Sequence, residues 1–287
     1  MHRTSLLLVC LSAAMHVAWN FRLKRAEDPA RHLWLALTAA ALLFAPAAFL
    51  QGWPPQIPPT GWACIAATGV CYGGYYSLTA LSYQRGDLSL AYPIARGVAP
   101  AVTVLLGVAL FGERPSPAGC VGVTCLCAGV LLIALPDLRP GAWRRFGPGA
   151  SAAVASGFCI AGYSAVDKLG VRYVYPVLYV CLTFLAGSLA QGILLWRRGQ
   201  GGPFLAEARR SRWGLLVTGL LSLGSYLIIL FVLQREPVSY VTPVRSLSVL
   251  LSVVLGAHLL REGDTRRRFL GAAGIVVGIA LIAIWGR

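Results

Sequence analysis

Ten apolar runs divide the chain, at about 4–22, 32–51, 62–83, 88–111, 117–136, 149–167, 174–196, 212–234, 238–260 and 268–285. Each is near the roughly 20 residues that an α-helix needs to cross the hydrocarbon of a bilayer. Backbone groups in lipid must be paired internally, so only helices and closed barrels span it. The two-residue alternation of a barrel strand is absent. The pattern therefore predicts an all-α integral membrane protein with ten transmembrane helices. The longest connections, 137–148 and 197–212, are too short to hold a soluble domain.

The polar positions inside these runs recur. Gln84-Arg85 matches Gln234-Arg235, and Pro93 matches Pro243, 150 positions later. Arg96, Glu113, Gly122 and Gly129 match Arg245, Glu262, Gly271 and Gly278 at an offset of 149, one residue having been dropped after the proline. Ser12, Trp19-Asn20 and Lys24 match Ser156, Tyr163-Ser164 and Lys168 at an offset of 144. This predicts two repeats, 1–136 and 149–287, of five helices each. Five is odd, so the second repeat enters the membrane from the opposite side. Inverted repeats are typical of secondary transporters, whose substrate site lies between the repeats near the midplane.

Composition agrees. The chain is 57% hydrophobic and 12% charged, with a mean hydropathy of +0.69, against about 25% charged in ordinary soluble domains. The net charge of +15 sits in short loops rather than on a basic face, so nucleic acid is excluded as a partner. The eight cysteines all fall in apolar runs, with no CxxC pair, and read as small packing residues. The first run resembles a signal peptide, but its match to the sixth run marks it as a retained helix.

The stretches AAMHVAWNFRLK, AYPIARGVAPAVTVLLGVALFGE and PSPAGCVGVTCLCAGVLLIA, with the second copy TPVRSLSVLLSVVLGAHLLREGDTRRRFLGAAGIVVGIALIAI, resemble the drug/metabolite transporter superfamily in its ten-helix EamA branch. The resemblance covers nearly the whole chain. It implies two bundled five-helix repeats around a central cavity and export or exchange of small metabolites. Small four-helix multidrug exporters of the superfamily carry a glutamate in the first helix. Here that helix offers Ser12, His16 and Asn20 instead, and the ten acidic residues read as loop or helix-end residues, which puts a cationic-drug mechanism in doubt.

Arg96 and Arg245 each lie about eight residues into an apolar run. Arginine in the bilayer core costs from about 2.5 to above 10 kcal/mol, so each must face water or a partner. A guanidinium fork matches a carboxylate or phosphate, which makes the pair a candidate anion clamp; snorkelling or a contact with carbonyls is the alternative. Pro93 and Pro243 are candidate hinges, or residues of the first helical turn. His16 and Asn20, four apart and so on one face, line the expected site with Trp19, and a histidine there can carry a coupling proton or bond a neighbouring helix. Tyr72, Tyr76, Tyr163 and Tyr226 are candidates for its wall, or packing aromatics. Glu113 and Glu262 end their helices as candidate gates, or pair with Arg114 and Arg261.

The expected function is alternating-access transport, in the export direction, of a small polar metabolite such as an amino acid or organic acid. The alternatives are a non-transporting sensor or assembly protein and a flippase of a lipid-linked intermediate. No catalytic residue, metal or cofactor is expected. The partners expected are a small-molecule substrate, the bilayer of the cell membrane and a second copy; the glycines, with a GxxxG at 274–278, read as structural residues that hold the two halves together or form that dimer. Of the 25 Lys and Arg residues, seventeen lie on one side and six on the other. The positive-inside rule puts both termini outside, whereas relatives in the superfamily are often drawn with both inside.

Overall fold

The computed structural model describes residues 1–24, 26–48, 56–85, 88–134, 148–197, 199, 208–249, 251 and 265–285. Among the described residues ten helices follow in order. The first repeat holds α1 (Arg3–Lys24), α2 (Pro29–Ala48), α3 (Pro59–Arg85), α4 (Leu88–Phe111) and α5 (Pro117–Ala134). The second holds α6 (Pro148–Gly170), α7 (Pro176–Arg197), α8 (Arg212–Arg235), α9 (Val238–Arg245) and α10 (Thr265–Trp285). Five of them open on a proline, at its low-cost position in the first turn.

The repeats interlock rather than sit side by side. Most of the packing runs between them: α3 against α6 and α7, α1 and α2 against α8, and α2 against α7. Helices α4 and α9 cross, and α5 pairs with α10. Exchanging the two repeats maps this set onto itself, as an inverted repeat requires.

The α5–α10 pair shows how sequence drives packing. A Cβ placed on Gly278 would lie 2.5 Å from the Gly122 carbonyl oxygen, and one on Gly122 would lie 2.8 Å from that of Gly278. Only hydrogen fits on either side. The helices approach to backbone contact, the small-residue packing used where lipid supplies no hydrophobic drive between helices. Exposed Leu, Val, Phe and Trp side chains on the outside of the bundle, such as Leu105, Leu189 and Val277, suit contact with lipid tails.

One helix differs from expectation. The ninth run, 238–260, predicts a single span, but α9 ends at Arg245. The Ser246 N–H bonds back to the carbonyls of Pro243 and Val244, the tighter pattern of a 3-10 turn, before helix resumes at 247–249. Pro243 lies two residues before the end and offers no N–H, so the ladder there is already short of a donor. In the first repeat α4 runs unbroken from Leu88 to Phe111.

Candidate functional site

Arg96 and Arg245 come together where α4 and α9 cross. The Ser246 hydroxyl donates to the Arg96 carbonyl at 3.4 Å, which fixes the crossing at the two arginines. Both are buried, at 4% and 6% exposure. Arg96 Nη2 is in close contact with His16 Nε2. A guanidinium has only donors, so Nε2 accepts and the ring proton lies on Nδ1. That atom is buried without a hydrogen-bond partner among the described residues. Arg245 lies over the Tyr226 ring, 4.9 Å from its centroid, and its Nε likewise has none.

Aromatic rings form the wall beside the arginines. Tyr72 touches Tyr76, Tyr163, Phe184 and Tyr226 at centroid distances of 5.7, 4.7, 5.7 and 5.8 Å. They come from α3, α6, α7 and α8, so the cluster straddles both repeats. Trp19 meets His16 edge-on at 4.8 Å. The Tyr72 hydroxyl and Trp19 Nε1 join the buried polar atoms that lack a partner. Buried polar groups are nearly always paired, and four of the exceptions among the described residues gather here: His16 Nδ1, Trp19 Nε1, Tyr72 OH and Arg245 Nε.

The remaining sequence candidates fall elsewhere. Asn20 donates its amide to the His16 carbonyl of its own helix at 2.8 Å. Pro243 marks the break in α9. The side chain of Pro93 and all of Glu262 lie outside the described residues. Glu113 takes a partner that the sequence did not suggest. Its carboxylate accepts the N–H groups of Val238 at 2.9 Å and Ser239 at 3.0 Å, capping α9 across the repeat boundary.

Asp167 is the residue that sequence reasoning missed. It reads as a helix-end acid beside Lys168, but it is fully buried in the last turn of α6. Thr68 Oγ1 donates to its Oδ1 at 2.5 Å and Tyr179 to the same oxygen at 2.8 Å, while Tyr226 donates to Oδ2. The correction has a physical cause. The α6–α7 connection spans only residues 171–175, and α3, α7 and α8 close over it. Lys168 turns away, donating from Nζ to the carbonyls of Leu233 and Glu236 at the end of α8.

The same place in the first repeat is built differently. There His32 Nε2 lies 3.4 Å from Thr218 Oγ1. In the second repeat, Tyr179 OH lies 3.1 Å from Thr68 Oγ1. Pro29 and Pro176 open the equivalent helices α2 and α7, which aligns His32 with Tyr179. Thr68 and Thr218 are 150 apart, like the other α3–α8 matches. At the offset of 144, Asp167 corresponds to Leu23. A cavity of about 400 Å³ opens beside His32, lined also by Phe21, Arg22, Glu27 and Arg210.

This architecture meets known proteins at the level of the whole chain. The EamA-like transporter family matches residues 3–135 and 147–284. The chain belongs to that family. It is therefore a multi-pass membrane transporter and not an enzyme. A crystal structure with 17% sequence identity and a TM-score of 0.76, covering 100% of this chain and 99% of that one, shares the fold. Curated relatives align with one part of this EamA-type chain. The probable 4-amino-4-deoxy-L-arabinose-phosphoundecaprenol flippase subunit ArnE of Pseudomonas savastanoi pv. phaseolicola is 33% identical over 36% of this chain and 90% of its own length. The multidrug resistance protein EbrB of Bacillus subtilis is 34% identical over 30% of this chain and 64% of its own. The spermidine export protein MdtI of Salmonella arizonae is 45% identical over 23% of this chain and 67% of its own.

Proposed function

We propose that this transporter exports a small anionic or zwitterionic metabolite, an amino acid or organic acid, by alternating access, with Arg96 and Arg245 as the substrate clamp. The observation that carries this reading is the pair of buried guanidiniums where the repeats cross. Arg245 keeps an unpaired Nε, and the orphaned Tyr72 hydroxyl lies in the same aromatic cluster. A carboxylate fits such donors bidentately. The faces of Tyr72, Tyr76, Tyr163 and Tyr226 suit the ammonium or apolar end of an amino acid. Alternating access draws on the unequal halves. On the face where α8 ends and α9 begins, Glu113 ties the repeats through the α9 cap, and the Met1–His2 peptide N–H adds a bond to Glu236 at 2.7 Å. On the opposite face a cavity opens beside His32. Pro243 supplies the hinge in α9, and Glu113 and Glu262 are the paired gates.

Two of the named relatives are a multidrug resistance protein and a spermidine export protein. Their cargoes do not transfer here, because the buried cations would repel a polycation. The test is uptake of labelled amino acids, organic acids, sugar phosphates and a cationic dye into proteoliposomes. Carriage of an anionic or zwitterionic compound, lost in Arg96→Ala and Arg245→Ala while both variants still insert, supports the clamp. Carriage of the dye alone, or normal transport by both variants, overturns it.

A further inference from the structure

We infer that Asp167 is a proton-binding site whose loading is transmitted to Arg245 through Tyr226. Transport by the family leaves open what drives it, and the inference does not depend on the anionic reading of the substrate.

The geometry begins with the carboxylate. It is fully buried, forms no ion pair among the described residues, and is held by three hydroxyl donors from three other helices, α3, α7 and α8. An ionised carboxylate only accepts, so all three hydroxyls can point at it. A proton added to either oxygen turns that oxygen into a donor. One hydroxyl must then turn away or become an acceptor. The proton thereby changes an interhelical bond without any other group moving first.

Tyr226 is where this change meets the substrate site. Its hydroxyl is bound to Asp167 and its ring face supports Arg245 at 4.9 Å. A change in the Tyr226–Asp167 bond alters how the ring is held, and with it the support beneath the guanidinium. Tyr226 also touches Tyr72, Tyr163 and Phe184, so the wall of the site moves with it.

Among the described residues the surroundings supply no competing carrier. From α3 the nearby titratable groups are Cys64, Cys71 and Tyr72; from α7, Tyr179; from α8, Tyr226; from α9, Arg245; and α6 itself adds Tyr163 and Lys168. Lys168 is committed to two carbonyls. Helix α4, which also packs on α6, spends Arg96 on His16. A second proton on His16 would face that guanidinium, which makes His16 the poorer carrier.

The mirrored site argues that the acid is not there for packing. The Thr68–Tyr179 contact has its counterpart in Thr218–His32, and there a leucine fills the place of the acid. An apolar residue suffices at that corner of the fold. The second repeat carries a charge that its own symmetry does not require.

The test is infrared pH-difference spectroscopy of the purified protein across the neutral range, which needs no substrate. Wild type should show a protonated-carboxyl band that rises as pH falls, together with tyrosine ring bands of the same midpoint. Asp167→Asn should lose both. If that variant fails to fold, Tyr226→Phe serves: the carboxyl band should remain but shift in frequency, and the tyrosine bands should lose the Tyr226 contribution and keep that of Tyr179. A wild-type spectrum without a carboxyl band, or an unchanged one in Asp167→Asn, overturns the site. A carboxyl band that titrates without the tyrosine bands overturns the link to Arg245. None of these outcomes bears on the substrate clamp, which is tested separately by the uptake panel.

Discussion

Two corners of this molecule are matched by the internal repeat and differ in their chemistry. Where α2 meets α8, His32 faces Thr218 at 3.4 Å, with Leu23 at the mirrored acid position and a cavity alongside. Where α7 meets α3, Tyr179 faces Thr68 at 3.1 Å and Asp167 binds both, fully buried. The backbone symmetry is shared and the chemistry is not. A duplicated fold supplies two equivalent frames, and a single substitution is enough to give one of them a charge. The α5–α10 pair is the contrast: there the glycines stay reciprocal, because backbone contact tolerates no side chain on either partner.

The largest expected effect falls on that symmetric pair. Gly278→Leu and Gly122→Leu should each cost about 3 kcal/mol, the upper end for overpacking, and to a similar extent. Unequal losses in detergent unfolding would break the claimed reciprocity. Next comes the asymmetric pair. Thr68→Val removes a donor from a buried carboxylate and should cost about 1.5–3 kcal/mol, whereas Thr218→Val gives up one long contact with His32 and should cost about 0.5–1 kcal/mol. Equal costs would mean that Asp167 adds nothing to the second corner. Glu113→Ala should cost about 1 kcal/mol as the loss of a helix cap, and should raise reagent access to the face where α9 begins.

The fold was legible because run length and the repeat are coarse signals that tertiary contacts cannot hide. Ten apolar runs and the matched Pro93/Pro243, Arg96/Arg245 and Glu113/Glu262 lead to the inverted architecture. The arginines were legible for the same reason: a cation in oil must have a use. Asp167 was not. It sits at the edge of its run beside Lys168 and reads as an interfacial pair. Its burial comes from α3, α7 and α8, none of them near it in sequence except α7. Aligning the repeats residue by residue would have flagged it, since an acid opposite Leu23 breaks an otherwise shared pattern. The partner of Glu113 was hidden likewise, because a cap on α9 depends on the α4–α9 crossing and not on local sequence.

The most direct measurement of the central claim is thermal unfolding of the purified protein in detergent with a panel of amino acids, organic acids, sugar phosphates and cationic dyes. A ligand that binds only the folded state at about 100 times its Kd stabilises it by about 2.7 kcal/mol. The clamp predicts that an anionic or zwitterionic compound raises the unfolding temperature of wild type and leaves Arg96→Ala and Arg245→Ala unmoved. A shift produced by cations alone, or the same shift in both variants as in wild type, would contradict it.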